Sequence, residues 1–357
     1  MNKLSGTTLL EKLSLAFGPS GCEGEVMQKL CEYLQPYADR IYTDALGTLI
    51  AVWRGTGDFH DAPAGEIVPK RLLLAAHMDE VGFMINDIDE NGYLSLTPLG
   101  LKDAGILAGR SVSIGTEKGT IPGIIGTKPV HVAPGNAKMD SLYVDIGAAD
   151  KAEAETMVKI GDFGTFRSEF VPFGSRGLVK GKALDDRAGC AILCDVLREL
   201  SETEERYPYD IYFAFTCRNE IGMNSTRTAA YLTDPDYAII VEAGAAADVD
   251  GVPKNKQCAK LGGGAVISFT DGRTVYDPEF TNYLISTARM NRVLYQLQAG
   301  KGENNDNRTV ISTRGGIRCA SVAVPVRYMH SSGSVLQESD YDAVKSLLRA
   351  ALRRMHI

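Results

Sequence analysis

The chain has 357 residues, 44% hydrophobic and 23% charged, an ordinary globular composition long enough for about two domains. Its net charge of −7 favours solubility. With no basic run or interleaved aromatic patch, it speaks against nucleic acid or an anionic membrane as partner. Cys22, Cys31, Cys190, Cys194, Cys217, Cys258 and Cys319 form an odd, scattered set without a CxxC pair. That usage fits a reducing compartment, and Cys190 and Cys194, four apart in a predicted helix, read as small buried hydrophobes.

Leu9, Leu10, Leu13 and Phe17 fall at helical spacing around Glu11 and Lys12. They predict a helix from Ser5 to Phe17, ended by Gly18-Pro19-Ser20-Gly21. This is not the pattern of a secretory signal. The apolar stretches are also shorter than the roughly 18 residues of a membrane span. Both readings place the protein in the cytoplasm. A second helix is expected over 23–37, two short strands over 41–53, and a Gly/Pro-rich loop over 55–70. Arg71 to Ala76 (RLLLAA) is the continuous apolar run of a strand buried on both faces.

From Gly82 to Arg176 short β-like runs recur between turn residues: 93–96, 111–114, 123–125 and 142–146, with one helical stretch at 151–158. That texture predicts an all-β module. Alternation of α and β then resumes, with helices over 188–200, 225–231, 280–299 and 340–355 and strands over 210–216, 237–241 and 319–326. The fold expected is α/β, a mixed sheet flanked by helices, interrupted by an inserted small β-barrel. The division is 1–81 with 177–357 for the α/β domain, and 82–176 for the insert.

The residues able to do chemistry follow the buried strands. His77 and Asp79 follow RLLLAA, Asp185 and Asp186 follow the short apolar stretch in GKALDDRAGC, Glu220 follows DIYFAFTC, Glu242 follows YAIIV, and His330 follows ASVAVPVRYM. Ligands of open α/β sheets collect outside the carboxyl ends of the strands. Imidazole and carboxylate together suit Zn²⁺ or a similar divalent ion, and clustered carboxylates need a compensating cation to stay ionised together. His60, His131 and His356 fall in loops or at the terminus and read as structural or solvated.

The segments AAHMDEVGF, PLGLKDAGILAGRSV, GIIGTKPVH, LYVDIGA, GLVKGKALDDRAGCA, FTCRNEIG, VEAGAAAD, ISFTDGRTVYD and VPVRYMHS resemble, in order, those of the M42 aminopeptidases. That group includes tetrahedral and glutamyl aminopeptidases and some proteins labelled endoglucanases. The resemblance implies two divalent ions per subunit, Zn²⁺ or Co²⁺ or else Mn²⁺. His77, Asp185 and Glu242 would hold one, and Asp185, Glu220 and His330 the other, with Asp186 the alternative bridge. Asp79 would accept the ring N–H of His77. It further implies hydrolysis of N-terminal residues from short peptides. The barrel would be used for dimerisation, often within a dodecamer.

The same resemblance exposes a departure. The family carries two consecutive glutamates where this chain has Asn219-Glu220, and the first of them is the general base. A neutral amide takes no proton at pH 7, and losing a general base costs roughly 10²–10⁴ in rate. Arg218 replaces a neutral residue, and Glu303–Arg308 is bulkier than the usual Gly-rich segment. Three readings follow: an aminopeptidase that is slow or uses a substitute base such as Asp306 or the metal-bound hydroxide itself, a metallohydrolase of a non-peptide amide, and a catalytically silent metal-binding protein that binds peptides or partner subunits. An acidic substrate preference would need a cation, for which Arg218, Arg308 and Arg318 are candidates.

Overall fold

The run RLLLAAH forms the strand Arg71–His77, buried at every position but Arg71. Its side chains alternate between two separate cores, Leu72, Leu74 and Ala76 on one face and Leu73 and Ala75 on the other, as a strand covered on both sides requires. The computed structural model describes residues 5–57, 70–129, 131–132, 137–272, 274–298, 306–353 and 355. His60, His356 and residues 303–305 lie outside them.

Around this strand lies a mixed sheet, 11-stranded among the described residues. Its centre is parallel: Arg71–His77 pairs with Asp210–Thr216 on one side and Tyr237–Ala245 on the other, and Tyr237–Ala245 pairs with Arg318–Arg327. Ser334–Gln337 runs antiparallel to Arg318–Arg327, and Leu178–Gly181 antiparallel to Ser334–Gln337. Leu178–Gly181 therefore points the same way as the central strands, and it shares one carboxyl edge with Arg71–His77, Asp210–Thr216, Tyr237–Ala245 and Arg318–Arg327. Helices Ser5–Leu15, Leu184–Ser201, Pro278–Met290 and Glu338–Arg353 pack on one face. Asn224–Thr233 and Asn307–Val310 cover the other.

The β module is a closed barrel of Gly82–Ile88, Leu94–Leu99, Tyr143–Asp145, Gly119–Gly126, Ser111–Thr116 and Phe163–Phe166. It has its own core, with Phe83, Ile85, Leu94, Val112, Ile114, Ile125 and Val144 inside. Two of its strands were not expected. Gly82–Ile88 carries a register shift between Ile85 and Asp87, and that bulge breaks the alternation by which a strand is recognised. Phe163–Phe166 is only four residues long.

Two further expectations are corrected. The helix predicted over 280–299 is Pro278–Met290, and the chain then reverses into the strand Tyr295–Leu297. Arg292 is left-handed there (φ 56°), a helix stop with no Gly to signal it. Glu242 does not follow its strand but lies inside it, because Tyr237–Ala245 runs on past Val241. No helix among the described residues is long and apolar enough to cross a membrane.

Candidate metal centre

The parallel register sets the site. His77 closes its strand opposite Thr216, which puts the turn Arg218–Glu220 beside it. Tyr237–Ala245 pairs with the same strand at Ile240↔Ala75, so continuing that register brings Glu242 level with His77. Asp185 and Asp186 enter just beyond Leu178–Gly181, in non-helical conformation and joined by a cis peptide bond. His330 follows Arg318–Arg327 in a turn, left-handed at φ 58°.

The Asp185 carboxylate lies between two imidazoles. Its Oδ1 is 3.2 Å from His77 Nε2 and its Oδ2 is 3.0 Å from His330 Nε2. Glu220 Oε1 is 3.2 Å from His330 Nε2. Ligand atoms of His77, Asp185 and Glu220 all lie within 4.8 Å of one another. Asp186 turns away from this group and accepts the backbone N–H groups of His77 (3.3 Å) and Gly189 (3.0 Å). Glu242 approaches from the adjacent strand, its Oε1 accepting the Asp306 N–H at 3.0 Å.

The charges fit a cation. Glu220 Oε1 is buried and faces the His330 ring nitrogen at 3.2 Å without a well-aligned hydrogen bond, which leaves a costly buried carboxylate oxygen open to a cation. Burial raises the carboxyls of Glu220 and Glu242 above the usual carboxylate range, Glu242 further because Asp306 faces it. Burial alone would lower both histidines. Asp185 and Asp79 nevertheless raise His77 well above its ordinary value, and Asp185 and Glu220 raise His330 to about 11. An imidazole–carboxylate set with this excess of negative charge suits a divalent ion.

The surrounding residues are held by backbone and side chain together. His77 Nδ1 lies 3.1 Å from the Asp79 carbonyl oxygen and 3.5 Å from its Oδ1. Either oxygen fixes the tautomer that leaves Nε2 facing Asp185. The Asp79 carboxylate also accepts the N–H groups of Asn219 (2.9 Å) and Glu220 (3.0 Å). Asn219 is buried, and its Nδ2 donates to Asp306 Oδ1 at 2.7 Å. The other Asp306 oxygen accepts the hydroxyls of Thr226 and Thr216. Burial pushes the Asp306 carboxyl up to about 6.

A model of the M42 glutamyl aminopeptidase family matches residues 64–347. The chain belongs to this family. The M42 chain is 29% identical to the lysyl aminopeptidase of Pyrococcus furiosus over 356 residues, 97% of this chain and 96% of that one. Its fold matches the TET aminopeptidase of a marine-sediment Thaumarchaeota archaeon with a TM-score of 0.92, at 30% identity and covering 98% and 96% of the two chains. It matches the TET1 peptidase of Pyrococcus horikoshii, which assembles into a tetrahedron or a large octahedral shell, with a TM-score of 0.83 at 29% identity, covering 97% and 98%.

Several residues around this candidate site carry no local signal in the sequence. Glu80 Oε1 is ion-paired with Lys182 and lies 3.4 Å from Arg187 Nη2, all three buried, and its Oε2 accepts the Thr165 hydroxyl of the barrel. Glu80 and Lys182 stand inside HMDEVGF and GKALDDRAGC, where their charge reads as ordinary polarity until the fold buries it. Ser20 donates to Asp79 Oδ2, and Glu23 accepts the Arg218 N–H. Of the arginines considered as substrate cations, Arg318 pairs with Glu279 and lies near Asp277 at the start of its strand, away from the site. Arg218 and Arg308 are exposed.

Proposed function

We propose that this chain is a metal-dependent aminopeptidase of the cytoplasm, acting on short peptides and working as a homo-oligomer. The observation that carries the reading is the Asp185 carboxylate, with one oxygen on His77 and the other on His330. A bridging carboxylate needs that placement. His77 and Glu242 would be the other ligands of one ion, Glu220 and His330 of the second, and Asp185 would serve as bridge in preference to Asp186. Zn²⁺, Co²⁺ and Mn²⁺ all suit these donors. Two ions held there would supply a Lewis acid for the scissile carbonyl and lower the pKa of the attacking water.

The chain's own residues do the rest. Asp79 orients His77 and fixes the turn that carries Glu220. Asn219 occupies the position of the family general base, where its amide orients but takes no proton. If hydrolysis proceeds, Asp306, one hydrogen bond beyond Asn219, is the substitute base favoured. The same observation supports the second reading, a metal-binding member that is catalytically silent on peptides. The assembly reading draws on the TET-type neighbours. It divides the chain into a catalytic domain of residues 1–81 and 177–357 and an inserted barrel domain of 82–176 used in dimerisation.

The test is metal analysis of the dialysed protein together with hydrolysis of aminoacyl-p-nitroanilides. About two divalent ions per chain and activity abolished by a chelator are expected, with both lost in Asp185→Asn. Less than about one ion per chain, or metal content unchanged in Asp185→Asn, overturns the reading of the cage.

A further inference from the structure

The turn that presents Asn219 and Glu220 has three successive backbone N–H groups, each held by a carboxylate from a distant part of the chain. Asp79 takes two of them, at Asn219 and Glu220. The first, Arg218 N–H, donates to Glu23 Oε1 at 2.9 Å across 195 residues of sequence. The same oxygen accepts Gly21 N–H at 2.8 Å, which ties Glu23 to its own loop. Three residues earlier, Ser20 donates its hydroxyl to Asp79 Oδ2 and its N–H to the Glu80 carbonyl. Ser20 and Glu23 are both buried.

We propose that the segment Ser20–Glu23 is part of the active site, with Glu23 a positioning residue that sets the Arg218–Glu220 turn and Ser20 one that sets Asp79. Arg218 is left-handed at φ 57°, a conformation that a non-Gly residue holds only when its surroundings enforce it. The Glu23 carboxylate on its N–H is one such constraint, beside the two Asp79 oxygens on the next residues and the Met223 N–H on the Arg218 carbonyl. Loss of Glu23 releases the first residue of the turn, so the Asn219 amide and the Glu220 carboxylate lose their common orientation. The barrel-side strand end at Glu80 and the N-terminal loop are joined by the Pro19↔Glu80 bridge, which keeps the segment against the site.

This inference rests on the reading of Glu220 as a metal ligand, and its test separates the two. The full chain is compared with Glu23→Ala, which removes the acceptor, Glu23→Gln, which keeps a carbonyl acceptor, Ser20→Ala, and the exposed control Glu32→Gln. Amide hydrogen exchange is followed across the turn, and Co²⁺ binding is followed by its visible absorption. In Glu23→Ala, exchange across 218–220 rises about tenfold or more while the strands Arg71–His77 and Asp210–Thr216 keep their protection. The weaker cobalt step loses roughly 10–100-fold in affinity, the scale of losing an outer support of a metal ligand. Glu23→Gln returns both within about threefold, and Ser20→Ala moves both in the same direction by less. Exchange and cobalt binding that match the parent protein in Glu23→Ala overturn the proposal. So does exchange raised equally throughout the core strands, or failure of Glu23→Gln to restore the turn. A parent protein that binds no cobalt overturns the metal reading instead, and the exchange measurement then decides the role of Glu23 by itself.

Discussion

Asn219→Glu tests whether the missing base is what limits this chain. The Asn219 amide lies 2.7 Å from Asp306 Oδ1 in a buried setting, so the new carboxylate meets another carboxylate at contact distance. Two unit charges about 3 Å apart at an effective dielectric of about 20 repel by roughly 5 kcal/mol, enough to keep one proton on the pair at pH 7. Asp306, already pushed up to about 6 by burial, is the natural holder of that proton, leaving the new group to accept one from water. The gain expected in kcat is therefore near the low end of the roughly 10²–10⁴ range of general-base catalysis. Thermal stability falls by about 1–3 kcal/mol. Adding Asp306→Asn reverses the polarity of the same hydrogen bond, removes the shared charge, and recovers most of the stability. The assay is kcat and KM on a panel of aminoacyl-p-nitroanilides with Zn²⁺, Co²⁺ or Mn²⁺, with thermal unfolding in parallel. A parent protein whose kcat equals or exceeds that of both variants refutes the reasoning, because Asn219 is then not a lost base. Activity in the variants alone favours the silent reading of the natural chain.

Metal binding should release protons. Below its raised value of about 11, His330 in the metal-free chain is protonated, so a cation has to displace that proton, and affinity rises with pH by up to about tenfold per unit for each proton displaced. Calorimetry in buffers of different ionisation enthalpy measures the release, and heats independent of buffer would refute it. Asp248 provides a separate pH effect. Burial alone would raise its pKa, but the bidentate contact with Arg327, at 2.6 and 2.7 Å, and the Leu261 N–H hold it below the usual carboxylate value. With the folded value depressed, the stabilisation is present above the unfolded pKa near 4 and fades as pH falls through the folded one. Asp248→Asn is expected to cost about 1–2 kcal/mol at pH 7 in urea unfolding. The difference should shrink as pH falls below about 4, and an unchanged difference at pH 3 would contradict the assignment.

Much of the candidate site was legible in the sequence because strand ends are local features. RLLLAA, DIYFAFT and YAIIV read as buried strands from composition alone, and the His, Asp and Glu residues at or near their carboxyl ends stand out against it. The barrel was legible as β texture, whereas its strand Gly82–Ile88 was not, because a bulge removes the alternation that marks a strand. The turn after Met290 was missed because its left-handed residue is Arg292, not glycine. Local propensity thus located the elements, and tertiary pairing adjusted their ends.

The sequence by itself determined which residues reach the carboxyl edge of the sheet, since period and punctuation are properties of short windows. Only the tertiary structure decided how they meet. It set Asp185 between two imidazoles with Asp186 turned to the backbone, gave the Asn219 amide to Asp306 across 87 residues, and brought Glu23 to the Arg218 N–H across 195. Those contacts depend on strand register and on the crossing of distant segments, and no short window of sequence contains either.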